Sequence, residues 1–469
     1  MRVLPAELTA RLRVALTGSV GSPLVLMANV EVEDRWAAGE PGLPTVAFTG
    51  SRAIVNRMDE LALLLAGPDD HVVLKAPPDP AYLEYLDALG VALPRLLTAS
   101  DQHPQRTVTE DALADPELIA ALAGLASAGA QLWPHGVSEL EERLSARSGL
   151  PLAAPPAAVC KAVNSKIYSR LVADAVGVPQ PSGMVCRDLG ELVVACERAD
   201  AWLASGRPVV FKDAYGVSGK GMLVVRRADR LRQVRRMIER RADRSGNPRL
   251  GLVVEEWLPK RMDINYQFTV DRDRDIHFDF VREALTEHGV HKGHRIPARL
   301  TDRQVGELRA AAAALGKRLA ADGYHGVVGV DALLAGDDRL YPMIEINARN
   351  NMSTYQERLR RTCLEGSRVA VAKQYPVRLR RPVRFGELRA ALAGLLLARC
   401  QDSGLLVNGF ATVNAAAPPP ARAEPDSFDG RLYGVLVAAT DREVDAIDQQ
   451  VTLRLDRLAH MSNREEMGA

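Results

Sequence analysis

The sequence predicts a fold of mixed α/β and α+β class, with an open α/β sheet in its first part and smaller α+β units after it. Short, nearly continuous apolar runs suit strands that are buried on both faces, and they occur as LVLMANV at 24–30, TVAFTG at 45–50 and HVVLKA at 71–76. Between them, residues 54–65 carry apolar side chains at helical spacing. Strands that alternate with helices predict an open α/β sheet over about the first 150 residues.

A Pro/Ala-rich stretch at 149–158 interrupts this periodicity and predicts a domain junction. We therefore expect an α/β domain at 1–158, a second domain at 159–375 and a small α+β domain at 376–469. Within the second domain, residues from about 200 to 257 predict a small two-layer unit of strands and one helix, which can move as a lid.

Composition excludes several kinds of partner. Lys and Arg number 60 against 59 Asp and Glu, so the formal net charge of +1 creates no overall field that attracts nucleic acid or anionic lipid. The longest apolar stretch, at 390–398, is far shorter than the ~20 residues that cross a bilayer. The five cysteines are scattered and show no metal-site spacing. We expect a cytoplasmic protein without nucleic-acid or membrane partners.

A glycine loop is predicted between two strands in PVVFKDAYGVSGKGMLVVR at 208–226. Its candidate phosphate-contacting residues are Lys212, Gly216, Ser218, Gly219 and Gly221. Glycines let the backbone approach a phosphate closely, and lysine supplies a compact positive charge. An ordinary β-hairpin loop explains the same string equally well, so this pattern alone leaves both interpretations open.

The string VVEEWLPK at 253–260 predicts a strand that ends in two carboxylates and an aromatic residue. The candidate contacts to a purine are Glu255, Glu256, Trp257 and Leu258. A purine beside a strand is recognised by backbone groups and by apolar side chains on its faces. A strand followed by a turn is the alternative, and it is favoured when this string is taken alone.

The sharpest candidate site lies on a predicted hairpin of strands 327–334 and 340–347. Glu345 and Asn347 are two residues apart in a strand and project to one face, and Asp331 adds an oxygen from the neighbouring strand. Carboxylate and amide oxygens suit Mg²⁺, which completes its shell with water and phosphate. Unpaired polar groups would be costly on this hairpin without a ligand, so the pattern predicts a magnesium site.

Two arginines are candidate catalytic residues. Arg349 lies two residues beyond Asn347, and Arg282 ends an earlier predicted strand. A guanidinium at either position can clamp a carboxylate or stabilise charge on a phosphoryl group during its transfer. A surface salt bridge explains either arginine equally well.

A polar loop, EHGVHKGHR, is predicted at 287–295 and contains three histidines, at positions 288, 291 and 294. Gly289 and Gly293 argue against a rigid helix that would align the histidines on a transition metal. We expect instead a mobile basic loop in which His291, Lys292 and His294 contact substrate or a leaving phosphate.

Taken in order, these residues resemble the ATP-grasp superfamily. The order is Lys166, Lys212 with its glycine loop, Glu255 to Leu258, Asp263, Asp331, Glu345, Asn347 and Arg349. The resemblance implies an ATP-grasp fold with a Rossmann-like pre-ATP-grasp domain before it, and ATP and Mg²⁺ as cofactors. Within the superfamily the chain is most similar to the pheganomycin-type peptide ligases, through NSKIYSRLVADAVGVPQP at 164–181 and EINARNNMSTY at 345–355.

The resemblance also implies roles for individual residues. Lys166 and Lys212 would contact the ATP phosphates under the glycine loop, Glu255 to Leu258 would frame the adenine, and Asp263 would reach the ribose. Asp331, Glu345 and Asn347 would hold Mg²⁺. Asp213 departs from the family pattern, because many ATP-grasp proteins have proline after the lysine.

The resemblance therefore implies an ATP-dependent ligase that activates a carboxylate as an acyl phosphate and joins it to an amine. The expected substrates are an amino acid, not necessarily a proteinogenic one, and an amino acid or peptide amine in antibiotic biosynthesis, with homodimerisation left open. One alternative is an ATP-grasp carboxylase that activates bicarbonate. The other is a nucleotide-binding regulatory protein without turnover.

Overall fold

The structure is a computed structural model that describes residues 5–43, 50–103, 105–216, 221–287, 290–357, 359, 363–364, 368–418 and 427–461. Three predicted features fall outside this range: the strand predicted at 45–50, apart from its last residue, the glycine-loop residues Ser218 and Gly219, and His288.

The N-terminal unit is an α/β layer built on a parallel sheet in the order β3-β2-β1-β4. Its elements are α1 Pro5–Thr17, β1 Leu24–Met27, α2 Val32–Ala37, α3 Gly50–Asn56, a 3₁₀ helix Met58–Leu64, β2 His71–Leu74, α4 Pro80–Ala88, β3 Arg95–Thr98, α5 Val108–Ala114, α6 Pro116–Ser127, β4 Gln131–Pro134 and α7 Glu139–Ser148. The strands predicted around 24–30 and 71–76 are confirmed. Their side chains are buried, as continuous apolar runs require.

A smaller antiparallel sheet follows, in the order β5-β8-β6-β7. The elements of this part are α8 Ala157–Val163, α9 Lys166–Val176, β5 Gly183–Asp188, α10 Leu189–Ala204, β6 Val209–Asp213, β7 Met222–Val225, α11 Ala228–Ser245 and β8 Arg249–Glu256. Helix α9 begins after Ser165, whose hydroxyl accepts from the Ile167 amide, and ends at Gly177 in the left-handed region. A two-layer unit is thus present, but it begins with β5, before residue 200, and two helices, α10 and α11, pack on its sheet where the sequence predicted one.

The remaining strands form one sheet in the order β13-β12-β9-β10-β11-β14-β16-β15. The elements are β9 Lys260–Val270, β10 Ile276–Glu287, β11 Val290–Ile296, α12 Asp302–Ala321, β12 Gly326–Ala335, β13 Leu340–Asn347, α13 Met352–Tyr355, β14 Val369–Leu379, α14 Phe385–Ala391, β15 Gly404–Gly409, a 3₁₀ helix Ala411–Val413, β16 Phe428–Ala438 and α15 Asp441–Met461. The predicted hairpin at 327–347 is confirmed as β12 and β13.

Two expectations differ from the observed architecture. Residues 290–295, which were predicted to be part of a loop, lie in β11, and β11 pairs with β10 on one side and with β14 on the other. The sheet also continues across the boundary predicted after residue 375, which falls inside β14. The last strands therefore extend the central sheet instead of forming a separate one.

The C-terminal part packs on the N-terminal unit through aromatic side chains. Tyr82 and Tyr85 of α4 lie with their ring centroids 5.2 and 5.3 Å from that of Phe385, and Phe410 meets Phe385 edge to face at 5.2 Å. These residues belong to one buried cluster that spans both parts of the chain. Such contacts hold α4 of the N-terminal unit against the C-terminal part of the chain.

Cys363 and Cys400 form a disulfide across 37 residues, with Cα atoms 4.3 Å apart. The scattered cysteine spacing gave no sign of this pair. Cys160, Cys186 and Cys196 are free and buried. Among the described helices, none combines the length and the apolar character needed to span a membrane.

Candidate active site

The hairpin β12–β13 brings the three predicted oxygen ligands together. Asp331 is paired directly with Glu345 across the ladder, and Asn347 faces Gly329 two pairs further on. The Asp331 carboxylate accepts from Asn347 Nδ2 at 3.2 Å and from Asn265 Nδ2 at 2.9 Å. Strand alternation and antiparallel pairing therefore place two carboxylates and one amide on the same face.

The charges on this hairpin are not balanced within the hairpin itself. Burial, with a further contribution from the nearby Glu345 charge, raises the pKa of Asp331 to about 6. A hard cation with oxygen ligands fits such a set, since it would neutralise both carboxylates and use the Asn347 amide oxygen after rotation of that group. Within the described residues no three His, Cys, Asp or Glu side chains converge as a metal site, so any ion here would depend on phosphate or water for its remaining ligands.

Lys166 supplies positive charge at the same place. Its ammonium lies 2.6 Å from Glu345 Oε1 and donates to the Gly216 carbonyl at 2.5 Å. Lys166 opens helix α9, and its backbone amide donates to the Ala214 carbonyl at 2.9 Å. One side chain thus joins the hairpin to the start of the glycine loop. Its contact to a phosphate stays a prediction.

Lys212 is held by a buried charge network. It lies at the end of β6, and its ammonium pairs with Glu255 on the neighbouring strand β8. The other oxygen of Glu255 accepts from Arg170 Nη1 at 3.3 Å. All three side chains are buried, and the single Glu255 carboxylate faces two cations, so the trio keeps a net charge of +1. The buried ion pair with Glu255 therefore restrains the Lys212 side chain.

The other predicted nucleotide contacts follow β8 along the chain. Glu256 pairs with Arg207, and the Glu256 and Trp257 amides donate to the carbonyls of Ser182 and Pro208 at 2.9 and 2.8 Å. Leu258 packs beside the β12–β13 hairpin. Asp263, at the start of β9, is paired with Lys260 and accepts from the Thr286 hydroxyl. Their contacts to adenine and ribose stay predictions.

Asp213 stands where many ATP-grasp proteins have proline, and it forms hydrogen bonds through both its side chain and its backbone amide. Its side chain accepts from the Leu43 amide, and its own amide donates to the Gly221 carbonyl at 2.7 Å. Leu43 packs in the core of the small antiparallel sheet. The residue therefore ties the base of the glycine loop to a segment of the N-terminal unit, and a proline would remove the amide that bonds Gly221.

Arg349 projects toward the same site, as predicted, but it has a carboxylate partner that the sequence did not indicate. Its guanidinium forms an ion pair with Glu33 of α2 and donates to Asn347 Oδ1 at 2.9 Å. Burial, opposed by Arg349 and reinforced by Glu345, raises the pKa of Glu33. Helix α2 follows the carboxyl end of β1, and open α/β sheets bind ligands at that edge. This position was therefore the signal in the sequence that could have identified Glu33 as a site residue.

Arg282, the second candidate clamp, is almost fully buried at 1% exposure. It donates to Glu357 Oε2 at 2.8 Å and to Gln356 Oε1 at 3.1 Å, and it stacks 4.3 Å above the Phe280 ring. Both candidate arginines therefore already bind a carboxylate of the chain. A role for Arg282 toward substrate stays a prediction.

The predicted substrate-contacting residues of 287–295 lie on strand β11. His294 is 4% exposed and its backbone is paired with Ala284 and Ala372. Lys292 is partly buried, and for His291 only the backbone, paired with Thr286, is described. Because the strand is hydrogen-bonded on two sides, the prediction that this stretch is a mobile loop is wrong.

Two family models match the chain. Residues 58–150 match the Pre ATP-grasp domain, and residues 167–355 match the Carbamoyl-phosphate synthase L chain, ATP binding domain. The second range holds most of the predicted site, including both hairpin carboxylates. The chain therefore carries a pre-ATP-grasp domain followed by an ATP-binding domain of the ATP-grasp kind, so the resemblance to the ATP-grasp superfamily found in the sequence is confirmed.

The chain is similar to the [butirosin acyl-carrier protein]–L-glutamate ligase of Niallia circulans, with 28% identity over 324 residues that cover 69% of this chain and 71% of the relative. Among solved structures, an ADP complex of N5-carboxyaminoimidazole ribonucleotide synthetase has a TM-score of 0.52 at 14% identity and covers 93% of this chain and 98% of that one. A second structure is the biotin carboxylase domain of Hydrogenobacter thermophilus 2-oxoglutarate carboxylase, which was solved with MgADP and bicarbonate. It has a TM-score of 0.51 at 15% identity, and the match covers 93% of each chain. These structures establish the fold.

Proposed function

We propose that this protein is an ATP-dependent carboxylate–amine ligase that forms an amide or peptide bond through an acyl phosphate. The observation that supports the proposal most strongly is the meeting of Lys166, Glu345 and Arg349 at one hairpin. Lys166 bonds Glu345 at 2.6 Å, and Arg349 bonds Asn347 at 2.9 Å. Cations and oxygen ligands are thus adjacent, which phosphoryl transfer from ATP to a carboxylate needs.

The nucleotide would lie between the small antiparallel sheet and the β12–β13 hairpin. Lys166 and Lys212 would contact its phosphates, and residues Glu255 to Leu258 and Asp263 would hold its nucleoside. Asp331, Glu345 and Asn347 would hold Mg²⁺, which when bound neutralises phosphate charge. Lys166 would then exchange its bond to Glu345 for a bond to phosphate, since both acceptors are anionic oxygens.

Two bond exchanges complete the proposed reaction. An oxygen of the carboxylate, oriented by Arg349, attacks the γ-phosphorus as the bond to ADP breaks. The amine nitrogen then attacks the acyl carbon, the carbon–oxygen bond to phosphate breaks, and the nitrogen loses a proton. The two arginines and the glycine loop hold the reacting groups and exclude water, which would otherwise hydrolyse the acyl phosphate.

An amino acid is the proposed carboxylate, and an amino acid, peptide or carrier-bound amine is the proposed acceptor. The support is the similarity to a ligase whose name specifies L-glutamate and an acyl-carrier protein. A place in antibiotic biosynthesis, a cytoplasmic location and a homodimeric state are part of the same proposal.

The proposal is tested by incubating the full-length protein with ATP, Mg²⁺, mixed amino acids and short peptides, followed by mass spectrometry of the products. Hydroxylamine in place of the amine should give a hydroxamate when the carboxylate is present. ADP release without any hydroxamate would contradict a free acyl phosphate.

Bicarbonate activation is the second candidate, and the similar fold of a biotin carboxylase domain solved with bicarbonate supports it. ADP release that depends on bicarbonate, and not on amino acids, would favour that candidate. ATP binding without ADP release under any condition would favour a regulatory protein without turnover.

A further inference from the structure

Asn265 lies beside the candidate metal ligands, and the proposed reaction assigns it no role. Asp331 is paired with Glu345 of β13 across one ladder and with Asn265 of β9 across the other. Side chains of directly paired residues lie on the same face of a sheet. The Asn265 side chain is buried, and its nitrogen donates to Asp331 Oδ1 at 2.9 Å. Asn265 therefore contacts a candidate metal ligand without being one of the three.

The orientation of the Asn265 amide is fixed from both ends. An ionised carboxylate only accepts hydrogen bonds, so the nitrogen of Asn265, and not its oxygen, must face Asp331. The oxygen accepts from the Ser353 hydroxyl at 3.0 Å. Ser353 is buried in the short helix α13, and its own amide donates to Asn351 Oδ1 at 3.0 Å. Because Ser353 is itself held, Asn265 cannot turn away from Asp331 without losing two hydrogen bonds.

The two oxygens of Asp331 have different partners. Oδ1 accepts from Asn265, whereas Oδ2 accepts from Asn347 Nδ2 at 3.2 Å. Asn347 is itself a candidate ligand, and rotation that presents its amide oxygen to Mg²⁺ would remove its bond to Oδ2. Oδ2 would then be free to bind the same ion, while the bond from Asn265 to Oδ1 stays in place. Oδ1 therefore has a fixed donor, and Oδ2 has an exchangeable one.

We propose that Asn265 is a positioning residue for the Mg²⁺ site, which holds Asp331 with Oδ2 directed to the ion and anchors this carboxylate to α13. A hydrogen bond to one oxygen of a ligating carboxylate restricts its rotation and supports metal affinity. Helix α13 begins shortly after Arg349, so the same contact connects the metal ligands with the segment that carries the proposed carboxylate clamp. The inference rests on the proposed ligase function, because that function requires the metal site.

A second amide on β9 provides a matched control. Gln267 is buried like Asn265, its nitrogen donates to Asp279 Oδ2 at 2.9 Å, and its oxygen accepts from the Thr354 hydroxyl at 2.6 Å. Gln267 thus also links a carboxylate to α13, but Asp279 is not a candidate ligand and pairs with Arg11. Loss of a buried amide bridge should affect stability at either position, whereas loss of metal positioning is expected at Asn265 alone.

The test measures ATP binding to the full-length protein by titration calorimetry at a series of Mg²⁺ concentrations, together with the melting temperature. The ATP affinity of the wild type should rise with Mg²⁺. Asn265→Ala removes both hydrogen bonds of the amide and should raise the Mg²⁺ concentration that gives half of this rise by at least about 10-fold. Gln267→Ala removes the corresponding two bonds and should leave that concentration unchanged.

Ser353→Ala is a milder variant for the case in which Asn265→Ala does not fold. It leaves the Asn265 and Asp331 side chains in place and removes the hydroxyl that fixes the Asn265 oxygen. The Mg²⁺ concentration for half of the rise should increase by about 3-fold, because one neutral hydrogen bond is lost.

The proposal is overturned if folded Asn265→Ala and Gln267→Ala proteins shift the Mg²⁺ dependence equally, if neither shifts it, or if Ser353→Ala leaves it unchanged. ATP binding by the wild type that does not depend on Mg²⁺ would remove the metal site and this inference with it. Failure of the ligase function is seen separately, as absence of carboxylate-dependent ADP release, since the binding measurement requires no turnover.

Discussion

Lys166 and Glu345 are separated by 179 residues in the chain, and the Lys166 Nζ lies 2.6 Å from Glu345 Oε1. The same ammonium also bonds the Gly216 carbonyl at the start of the glycine loop. This one ion pair therefore connects the helix α9, the hairpin of oxygen ligands and the loop that is expected to cover the phosphates. Its two members are the residues on which the proposed chemistry depends most directly.

Replacing Glu345 with glutamine should weaken binding of Mg²⁺-ATP by at least about 10-fold and slow ADP release by about 100-fold, because an anionic ligand is lost beside the transferred phosphate. Calorimetry with and without Mg²⁺ measures the first effect. Glu307→Gln is the control, since Glu307 pairs with Arg303 on the surface and is 41% exposed. A Glu345→Gln protein with wild-type turnover would remove the metal assignment.

Gly221→Ala should distort the base of the glycine loop. Gly221 has a φ of +74°, and a Cβ there would collide with the Asp213 carboxylate. We expect a loss of about 1–2 kcal/mol in the free energy of unfolding and weaker ATP binding. Denaturant titration and calorimetry measure the two effects.

Gly306→Ala is the matched change, because that glycine lies in helix α12 and an added Cβ would meet no atom within 4 Å. It should leave ATP binding unchanged and raise stability by about 0.5–1 kcal/mol. Equal effects of the two substitutions would contradict the tight contact at Gly221.

Arg282→Met should destabilise the fold by at least about 1.5 kcal/mol, because it removes the buried charge-assisted hydrogen bond of 2.8 Å to Glu357. Adding Glu357→Gln removes the buried negative charge that faced Arg282 and should restore part of that stability. If Arg282 clamps substrate, the double variant stays inactive although it is stable. Recovery of ADP release together with stability would assign Arg282 a structural role.

Glu31 should make stability depend on pH. Its pKa is raised to about 8 in the folded state from an ordinary value of 4.5, so the folded protein binds its proton more tightly than the unfolded chain does. The stabilisation is complete below pH 4.5 and is lost as pH rises toward 8. Without ligand, Glu31→Gln should flatten the fall in melting temperature between about pH 5 and 8, by at least about 2 °C. An unchanged profile would contradict a folded-state pKa that burial raises to about 8.

The sequence predicted the placement of Asp331, Glu345 and Asn347 on the hairpin well because that placement is local, while their role as metal ligands stays a prediction. Asp331 and Glu345 face each other through a short turn, and strand alternation fixes which side Glu345 and Asn347 share. The order of the motifs also identified the superfamily, which the matches over 58–150 and 167–355 confirm. Residues 290–295 were misassigned because glycine and histidine favour loops when read locally, whereas pairing with β10 and β14 holds these residues in a strand.

The sequence by itself determined the α/β class, the helix and strand pattern around the glycine loop, and the residue types that can bind ATP and Mg²⁺. Only the tertiary structure decided that Glu33 pairs with Arg349, that Arg282 is buried against Glu357, and that Glu60 meets the end of β15. The physical reason is that periodicity and short turns constrain neighbours along the chain. Contacts between the two ends of the chain depend instead on how whole sheets and helices bury their apolar faces against each other.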